Sequence, residues 1–415
     1  MRSVLPVILL AGPLLGATWA HAATVTPTAD LRVRQEVLDG VYYFAPDPDR
    51  DWIRLRTRAG GRLEAGQHRL ELLLANEHRR YLDPDDVDFD WGELIIDRAA
   101  WSWRPHGDLS LTLGRQDMIW PGGFLLLERS PLDGSRAIFQ DAVRLQLGDD
   151  DGGTDLAYIR NLKRDLQVLA GDEQRPLSDM DETALALRRS QGDLAWSFIA
   201  KSESDPDGVL ADLLTLTFGV RGSGSFGETG SWEAEVAVQN QRTDQGEGRP
   251  DDVDNALAVQ ALVRDRFLGE STLELGGFFY SGDDGGGVGA FRTPWGRWPK
   301  WSELYIYTLI GESTPGRVTA AAWENIAAPR LQLRRPLGDH LDGRLGLNWL
   351  LAPQPSWQSR GLLTQAEVTA ELGRGFSGHL LWEMLVPGDF HDGSNGLAPL
   401  TGTVHFLRWQ VAWSL

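Results

Sequence analysis

The residues with the plainest chemistry are arginines at every second position. Arg32 and Arg34 stand two apart, and so do Arg54, Arg56 and Arg58. On an extended chain this spacing puts the side chains on one face, about 6.5 Å apart. Arg144, Arg330, Arg334, Arg344 and Arg408 lie on the polar side of their own alternating segments. A guanidinium stays charged and grips a carboxylate with two parallel N–H donors. A wall of them would attract an acidic solute or a polyanion. The plainer alternative is that each arginine pairs with an acid on a neighbouring segment and only holds the wall together. Glu36, Glu71, Glu233, Glu235, Glu274, Glu367, Glu371 and Glu383 are the candidate partners.

What positions these arginines is an extended chain with period 2. In Ser231–Gln241 (SWEAEVAVQNQ), Trp232, Ala234, Val236 and Val238 oppose Glu233, Glu235, Gln239 and Gln241. Strict alternation predicts a half-buried strand. Eighteen such strands are predicted, near 30–38, 51–62, 67–77, 90–104, 108–117, 137–148, 154–161, 181–189, 193–203, 213–222, 230–242, 253–264, 270–281, 327–335, 341–351, 361–372, 376–386 and 403–415. Connections after the even strands are short, such as EAG at 64–66 and GRG at 373–375. Those after the odd strands are long and polar, up to the 45 residues 282–326. A soluble sandwich has no reason to keep that alternation, and open sheets beyond about 10 strands are unusual. Outer-membrane barrels are built this way, with tight periplasmic turns, long external loops and an even strand number. The fold expected is all-β: a single transmembrane antiparallel β-barrel of 18 strands, its apolar stripes on outer-membrane lipid.

Bulk numbers do not contradict this. The chain has 415 residues, 42% apolar and 24% charged, and no cysteine. Alternating strands average out to a polar composition. Residues 1–22 read as an export signal: Arg2, an apolar run, and Ala20-His21-Ala22 as a cleavage site, with the barrel at 23–415. After it no stretch approaches the roughly 20 apolar residues of a membrane helix. The net charge of −19 is a poor match for nucleic acid.

A closed barrel of about 18 strands is too wide for its own side chains to fill, so an aqueous channel is expected. Segment 282–326 is the candidate constriction, folding inward. Closure places the last strand beside the first, so Arg408, Arg32, Arg34 and the Arg54/Arg56/Arg58 ladder form one basic arc. The acids of 230–242, 253–264 and 270–281 have few inward arginines near them, which makes the lumen electrostatically two-sided. Trp52, Trp101, Trp103, Trp232, Trp382 and Trp413 fall towards strand ends, where interfacial girdles form. Two residues break the alternation. Asp97 has the outward parity of Trp101 and Trp103, which predicts a bulge there or a place near the interface. Arg115 has the parity of Leu113, which predicts a register break at Gly114.

Several segments resemble the alginate-export family of outer-membrane porins. The clearest is 109–147, where LSLTLGRQDMIW leads through a long loop to IFQDAVRLQL. FFYSGDD…FRTPWG at 278–296 and EMLVPGDF at 383–390 add to it. The resemblance implies an 18-stranded barrel and an arginine-lined pore for an anionic polysaccharide, alginate. By matching motifs it carries over Arg115, Gln116, Asp141 and Arg144 as pore-lining residues. This sequence departs in its final Leu415, where an aromatic is usual, and in the Glu-rich strands after residue 230.

The expected function is passive diffusion of an anionic polysaccharide or other acidic solute, with periplasmic export or uptake partners at the short turns as a further expectation. The alternatives are a general or small-nutrient porin and an outer-membrane enzyme such as a phospholipase. The enzyme needs a Ser–His pair, and His68, His340 and His379 have no evident serine partner. No cofactor is expected: GSGSFG (Gly222–Gly227) matches a nucleotide-loop pattern but sits between two strands with no helix after it. The acidic loop Asp83–Asp90 could hold divalent cations only loosely.

Overall fold

The computed structural model describes residues 23–41, 49–85, 90–128, 139–148, 152–171, 178, 180–244, 252–295, 302–305, 324–393, 399–400 and 402–415. The leader read at 1–22, residues 86–89 of the acidic loop, and 296–301 and 306–323 of the candidate constriction lie outside them.

The period-2 segments become strands β1 (Thr24–Asp39), β2 (Arg50–Ala65), β3 (His68–Asp83), β4 (Asp90–His106) and β5 (Leu109–Gln116). A short ribbon follows, β6 (Met118–Ile119) with β7 (Leu127–Glu128). Then come β8 (Gln140–Leu147), β9 (Thr154–Asn161) and the three-residue β10 (Val168–Ala170). The chain continues through β11 (Asp181–Gln191), β12 (Leu194–Ser204), β13 (Leu213–Phe226), β14 (Gly230–Thr243) and β15 (Asp252–Phe267). It ends with β16 (Ser271–Tyr280), β17 (Ile326–Gly338), β18 (Leu341–Ala352), β19 (Gln358–Gly373), β20 (Phe376–Pro387) and β21 (Val404–Ser414).

Setting aside the ribbon and β10, the eighteen long strands match the eighteen predicted and form one antiparallel barrel. Each pairs with the next, and β21 returns to β1 from Asp30↔Ser414 to Asp39↔His405. Closure removes both sheet edges, so backbone polar groups at bilayer depth are satisfied within the sheet. Short connections follow β2, β4, β8, β11, β13, β15, β17 and β19; those after the other barrel strands are longer, except 84–89 after β3 and 353–357 after β18, which are no longer than 148–153 after β8. Both ends of the barrel chain therefore lie on the short-turn side.

The two faces differ as the alternation demands. On β18, Leu345, Leu347 and Trp349 are exposed while Gly346, Asn348 and Leu350 are buried; Trp349 is 55% exposed and Asn348 1%. Phe198, Phe218, Val236, Val238, Leu407 and Trp409 continue the outward belt. A belt of this kind is stable only against hydrocarbon. Trp101, Trp103, Trp232, Trp382 and Trp413 have the outward parity. Trp52 does not: it shares the inward side of Arg54, is 1% exposed, and belongs to the lumen rather than to a girdle.

The bulge expected at Asp97 is present. Leu73 pairs with Arg98 and Leu74 with Ile96, which leaves Asp97 as the extra residue. It is buried, with its carboxylate 3.5 Å from Arg58. The expectation at Gly114 fails in its detail. The β5–β8 ladder runs unshifted through Gly114↔Ala142 and Arg115↔Asp141, and the departure is confined to Gly114 itself, at φ +109°. A Cβ there would lie 2.3 Å from the Ala99 carbonyl oxygen.

The lipid-facing assignment makes a direct test. Leu347→Arg, outward at mid-strand, should lower unfolding free energy in lipid by about 2–4 kcal/mol. Asn348→Ser, one residue away on the inner face, should cost much less. Urea titration of the vesicle-embedded barrel measures both, and equal effects would contradict the assignment.

Candidate functional site

The basic arc forms where β21, β1 and β2 meet. Arg34 stands directly opposite Arg54, and Arg32 opposite Arg56. Like charges so placed repel. Acids bracket the quartet at both ends. Glu36 lies 3.2 Å from Arg34, 3.1 Å from Arg54 and 3.6 Å from Arg408, and accepts a 2.7 Å hydrogen bond from the Trp52 indole. At the other end Asp30 lies 2.6 Å from Arg58 and 3.7 Å from Arg56. Arg54 also reaches Glu77 at 3.1 Å. Arg32, Arg34, Arg54, Arg56, Arg58 and Arg408 are all buried. The arc is thus a close-packed wall knit by carboxylates rather than a comb of free guanidinia.

The residues carried over from the family motif have structural partners. Arg115 spends all five N–H donors: on both oxygens of Asp141, both oxygens of Asp165, and the Ile96 carbonyl. Its guanidinium also covers the Phe139 ring at 3.4 Å. Asp165 belongs to the segment before β10, which pairs with the upper end of β4. Arg115 therefore ties that segment to the barrel and offers no donor to a solute. Gln116 is buried and donates to the Gly114 and Ala142 carbonyls. Arg144 grips both oxygens of Asp155, at 2.8 and 2.6 Å, and the Trp120 indole donates to the same carboxylate.

Two segments fold into the lumen. One is 118–128, with Met118, Trp120, Phe124, Leu125 and Leu126 buried. The other is the described front of 282–326, with Phe291 and Trp295 buried. They pair with each other: Leu127 N–H donates to Trp295 and Trp295 N–H to Leu125. The wall behind them is small, with Ala142, Ala157, Ala184, Ala186, Ala237, Ala256 and Ala258 in the same apolar cluster. At Gly219 a Cβ would come within 2.8 Å of Leu125, so that position too must stay small. Polar side chains catch the inward backbone. Gln239 and Gln241 donate to the Arg292 and Ala290 carbonyls at 2.7 Å, Lys201 to Pro294 at 3.1 Å, and the Trp295 indole to Glu182 at 3.1 Å.

Residues 302–305 of the same segment lie against the opposite wall. Glu383 accepts from Ser302 Oγ at 2.8 Å and Leu304 N–H at 2.6 Å. Glu303 pairs with Arg408 at 3.1 Å, and the Tyr305 hydroxyl accepts from Arg360 at 3.1 Å. Arg360 stacks on Phe390, next to His391, and burial together with Arg360 pushes that imidazole down to about 3, so the ring stays neutral.

Between these fillings lies a cavity of 690 Å³. Arg264, Arg330, Arg334, Arg344 and Arg408 line it, with Phe124, Phe278 and Tyr280 on another side. Its glutamates are engaged, while Asp342, also in the lining, has no ion pair among the described residues. Glu233 pairs with Arg221 and Arg264, Glu274 with Arg264 and Arg330, and Glu367 with Arg344. Arg221 and Arg264 were not foreseen as inward cations, and they correct the picture of an unbalanced acidic side. The imbalance lies elsewhere. Arg334 stands opposite Arg344 on the inner face, and no ion pair to Arg334 is found among the described residues. Gln332, buried between them, accepts from Arg330 and Arg344 through Oε1, while its Nε2 and Arg330 Nε have no acceptor. Arg330, Arg334 and Arg344 thus form a column of guanidinia along β17 and β18, with Asp342 lining the same cavity.

No protein-family model matches this sequence, and no curated protein does. Solved structures match in fold. OccK2 (OpdF) of Pseudomonas aeruginosa, in complex with glucuronate, superposes with a TM-score of 0.61 at 12% identity, covering 94% of this chain and 98% of its own. OccAB4 of Acinetobacter baumannii gives 0.61 at 10% identity, over 95% and 99%. OpdK of Pseudomonas aeruginosa, with vanillate, gives 0.57 at 12% identity, over 94% and 98%. At such identities the likeness is one of fold. It supports the porin architecture expected from the motifs without singling out the alginate-export family. The chain has the fold of the eighteen-stranded porins of the Gram-negative outer membrane.

Proposed function

We propose that this protein is a passive outer-membrane porin for small solutes that carry a carboxylate. One observation carries the reading: Arg334, with no ion pair among the described residues, lines a 690 Å³ cavity together with Arg264, Arg330, Arg344 and Arg408. A carboxylate supplies two acceptor oxygens and one negative charge, which is what such a cluster lacks. Transport is diffusion down a gradient, the arginines replacing part of the lost hydration.

The size of the solute follows from the filling of the lumen. Segments 118–128 and 282–295 occupy one side of the barrel and residues 302–305 the other, so the space between them suits a monomeric acid better than a polymer strand. The structural neighbours were solved with glucuronate and vanillate, each a small molecule with one carboxylate. A uronate monomer keeps the chemistry of the alginate resemblance at a size this cavity admits. An enzymatic role has less support: His379 Nε2 accepts from Arg408 at 2.9 Å and is not placed to activate a serine.

In planar bilayers the protein should conduct, prefer anions, and be blocked by millimolar glucuronate. Arg334→Glu should weaken that block about tenfold or more, since a hydrogen bond to a charged group contributes roughly 1.5–3 kcal/mol. Absent conductance, or a cation preference that Arg334→Glu and Arg344→Glu leave unmoved, would reject the proposal. Uronate oligomers that block more strongly than the monomer would favour the polymer instead.

Segment 282–326 is read as the constriction, latched by Glu383. Glu383→Ala strands the Ser302 hydroxyl and the Leu304 amide, a local cost of about 1–3 kcal/mol for each buried group left unpaired. Single-channel conductance should rise and become noisier while the barrel keeps its strand content by circular dichroism. Unchanged conductance would remove the latch from the account.

A further inference from the structure

The outer face of the barrel carries a hollow that the channel reading does not use. It measures 610 Å³ and is lined by Phe198, Leu216, Phe218, Val238, Leu257 and Val288. Phe198, Leu216, Phe218, Val238 and Leu257 have the outward parity, whereas Thr217, Gln239 and Ala256, also in the lining, belong to inward positions; the hollow opens on the outward side. Val288 enters from segment 282–326, which bridges to β15 beside Asn255.

The row above Phe198, Phe218, Val238 and Leu257 is mixed, with Ala200 and Leu216 on β12 and β13 and two asparagines on β14 and β15. Asn240 and Asn255 stand opposite each other at the top of the hollow, and Asn240 Nδ2 donates to Asn255 Oδ1 at 3.2 Å. That bond leaves Asn240 Oδ1 and Asn255 Nδ2 with no partner among the described residues. Polar groups on a lipid-facing wall are costly unless something satisfies them. Two residues further towards the long-loop end, on the same face, Arg242 is exposed with no ion pair among the described residues. Leu214 and Val253 flank it in the same row. From the inside of the belt outwards the surface reads apolar hollow, amide pair, cation.

We propose that this hollow is a binding site for one anionic, phosphorylated lipid of the outer leaflet. An acyl chain fills the hollow, its ester or amide linkage meets Asn240 and Asn255, and a head-group phosphate meets Arg242. The order of those three chemistries along a lipid is the order of Val238, Asn240 and Arg242 along the outward side of β14. The long loops mark this end as the external one, so the lipid belongs to the outer leaflet. A second copy of the chain would bury the apolar row equally well, but it would have to supply both an amide-pairing group and an anion on a lipid-exposed face. The inference rests on the membrane placement of the barrel and not on what the lumen carries.

Native mass spectrometry of the full barrel in mild detergent tests it, with a bisphosphorylated acyl glycolipid as probe and phosphatidylethanolamine as comparison. The wild type should retain one glycolipid at an occupancy at least about tenfold above phosphatidylethanolamine. Val238→Trp, which fills the hollow, and Arg242→Glu should each abolish that preference while leaving single-channel conductance unchanged. Equal retention of the two lipids, or retention unaffected by both substitutions, overturns the site. So does a dimer that both substitutions dissolve, which would assign the hollow to a second copy. A barrel that binds the glycolipid but does not conduct would count against the porin reading alone.

Discussion

Closure of β21 on β1 is the constraint on which the rest depends. Ten residue pairs join those strands, and with them the sheet has no free edge. Once the wall is closed, every side chain is committed to lipid or lumen by its parity. A slip of one residue would exchange the two faces. It would put Arg32, Arg34, Arg54, Arg56 and Arg58 into hydrocarbon, at a few kcal/mol for each one near the bilayer centre. The arginines of the first two strands therefore fix the register of the seam as firmly as its hydrogen bonds do.

Two kinds of inward arginine follow from the same geometry. The facing pairs Arg32/Arg56 and Arg34/Arg54 are held between Asp30 and Glu36. Arg115 and Arg144 are each gripped by aspartates. These groups resist repulsion by sharing carboxylates, and they stiffen the wall. Arg334 and Arg344 also face each other, yet only Arg344 has a carboxylate, Glu367. Arg334 on β17 and Asp342 on β18, both lining the cavity, are left without an ion pair among the described residues. The long ladders at the start of the chain catch the eye in the sequence, but the free charge lies in the more dispersed arginines of its last third.

Strand placement was legible because period 2 survives in every barrel strand. Asp97 was legible for the same reason: its parity was wrong for its neighbours, and a bulge is the local remedy. Trp52 was misplaced because residue type outweighed parity. It shares the side of Arg54, and that alone placed it in the lumen next to Glu36. Arg264 carried a similar signal, sharing parity with Ala258 and Gln260. The partners of Arg115 were half visible. Asp141 lies across the β5–β8 ladder, but Asp165 comes 50 residues later from a segment too short to show periodicity. The inward course of 118–128 left one trace: the run of alanines at inward positions from β8 to β15. Small residues on an inner wall mark where something else must fit, and no local rule says what.

That alanine wall also bears on selectivity. Phe124, Leu125, Leu126, Phe291 and Trp295 pack against it and form a dry mass on one side of the barrel. Water and solute are displaced to the side where Arg330, Arg334 and Arg344 stand. Field lines from those charges spread poorly through a low-dielectric filling, so the potential is focused into the remaining channel. The same three guanidinia in an unfilled eighteen-stranded barrel would face a wide aqueous lumen and be screened within about 8–10 Å at physiological salt. The inward segments thus do more than narrow the pore. In the proposed porin, by excluding water from the opposite wall, they would let Arg330, Arg334 and Arg344 weigh more on a passing anion.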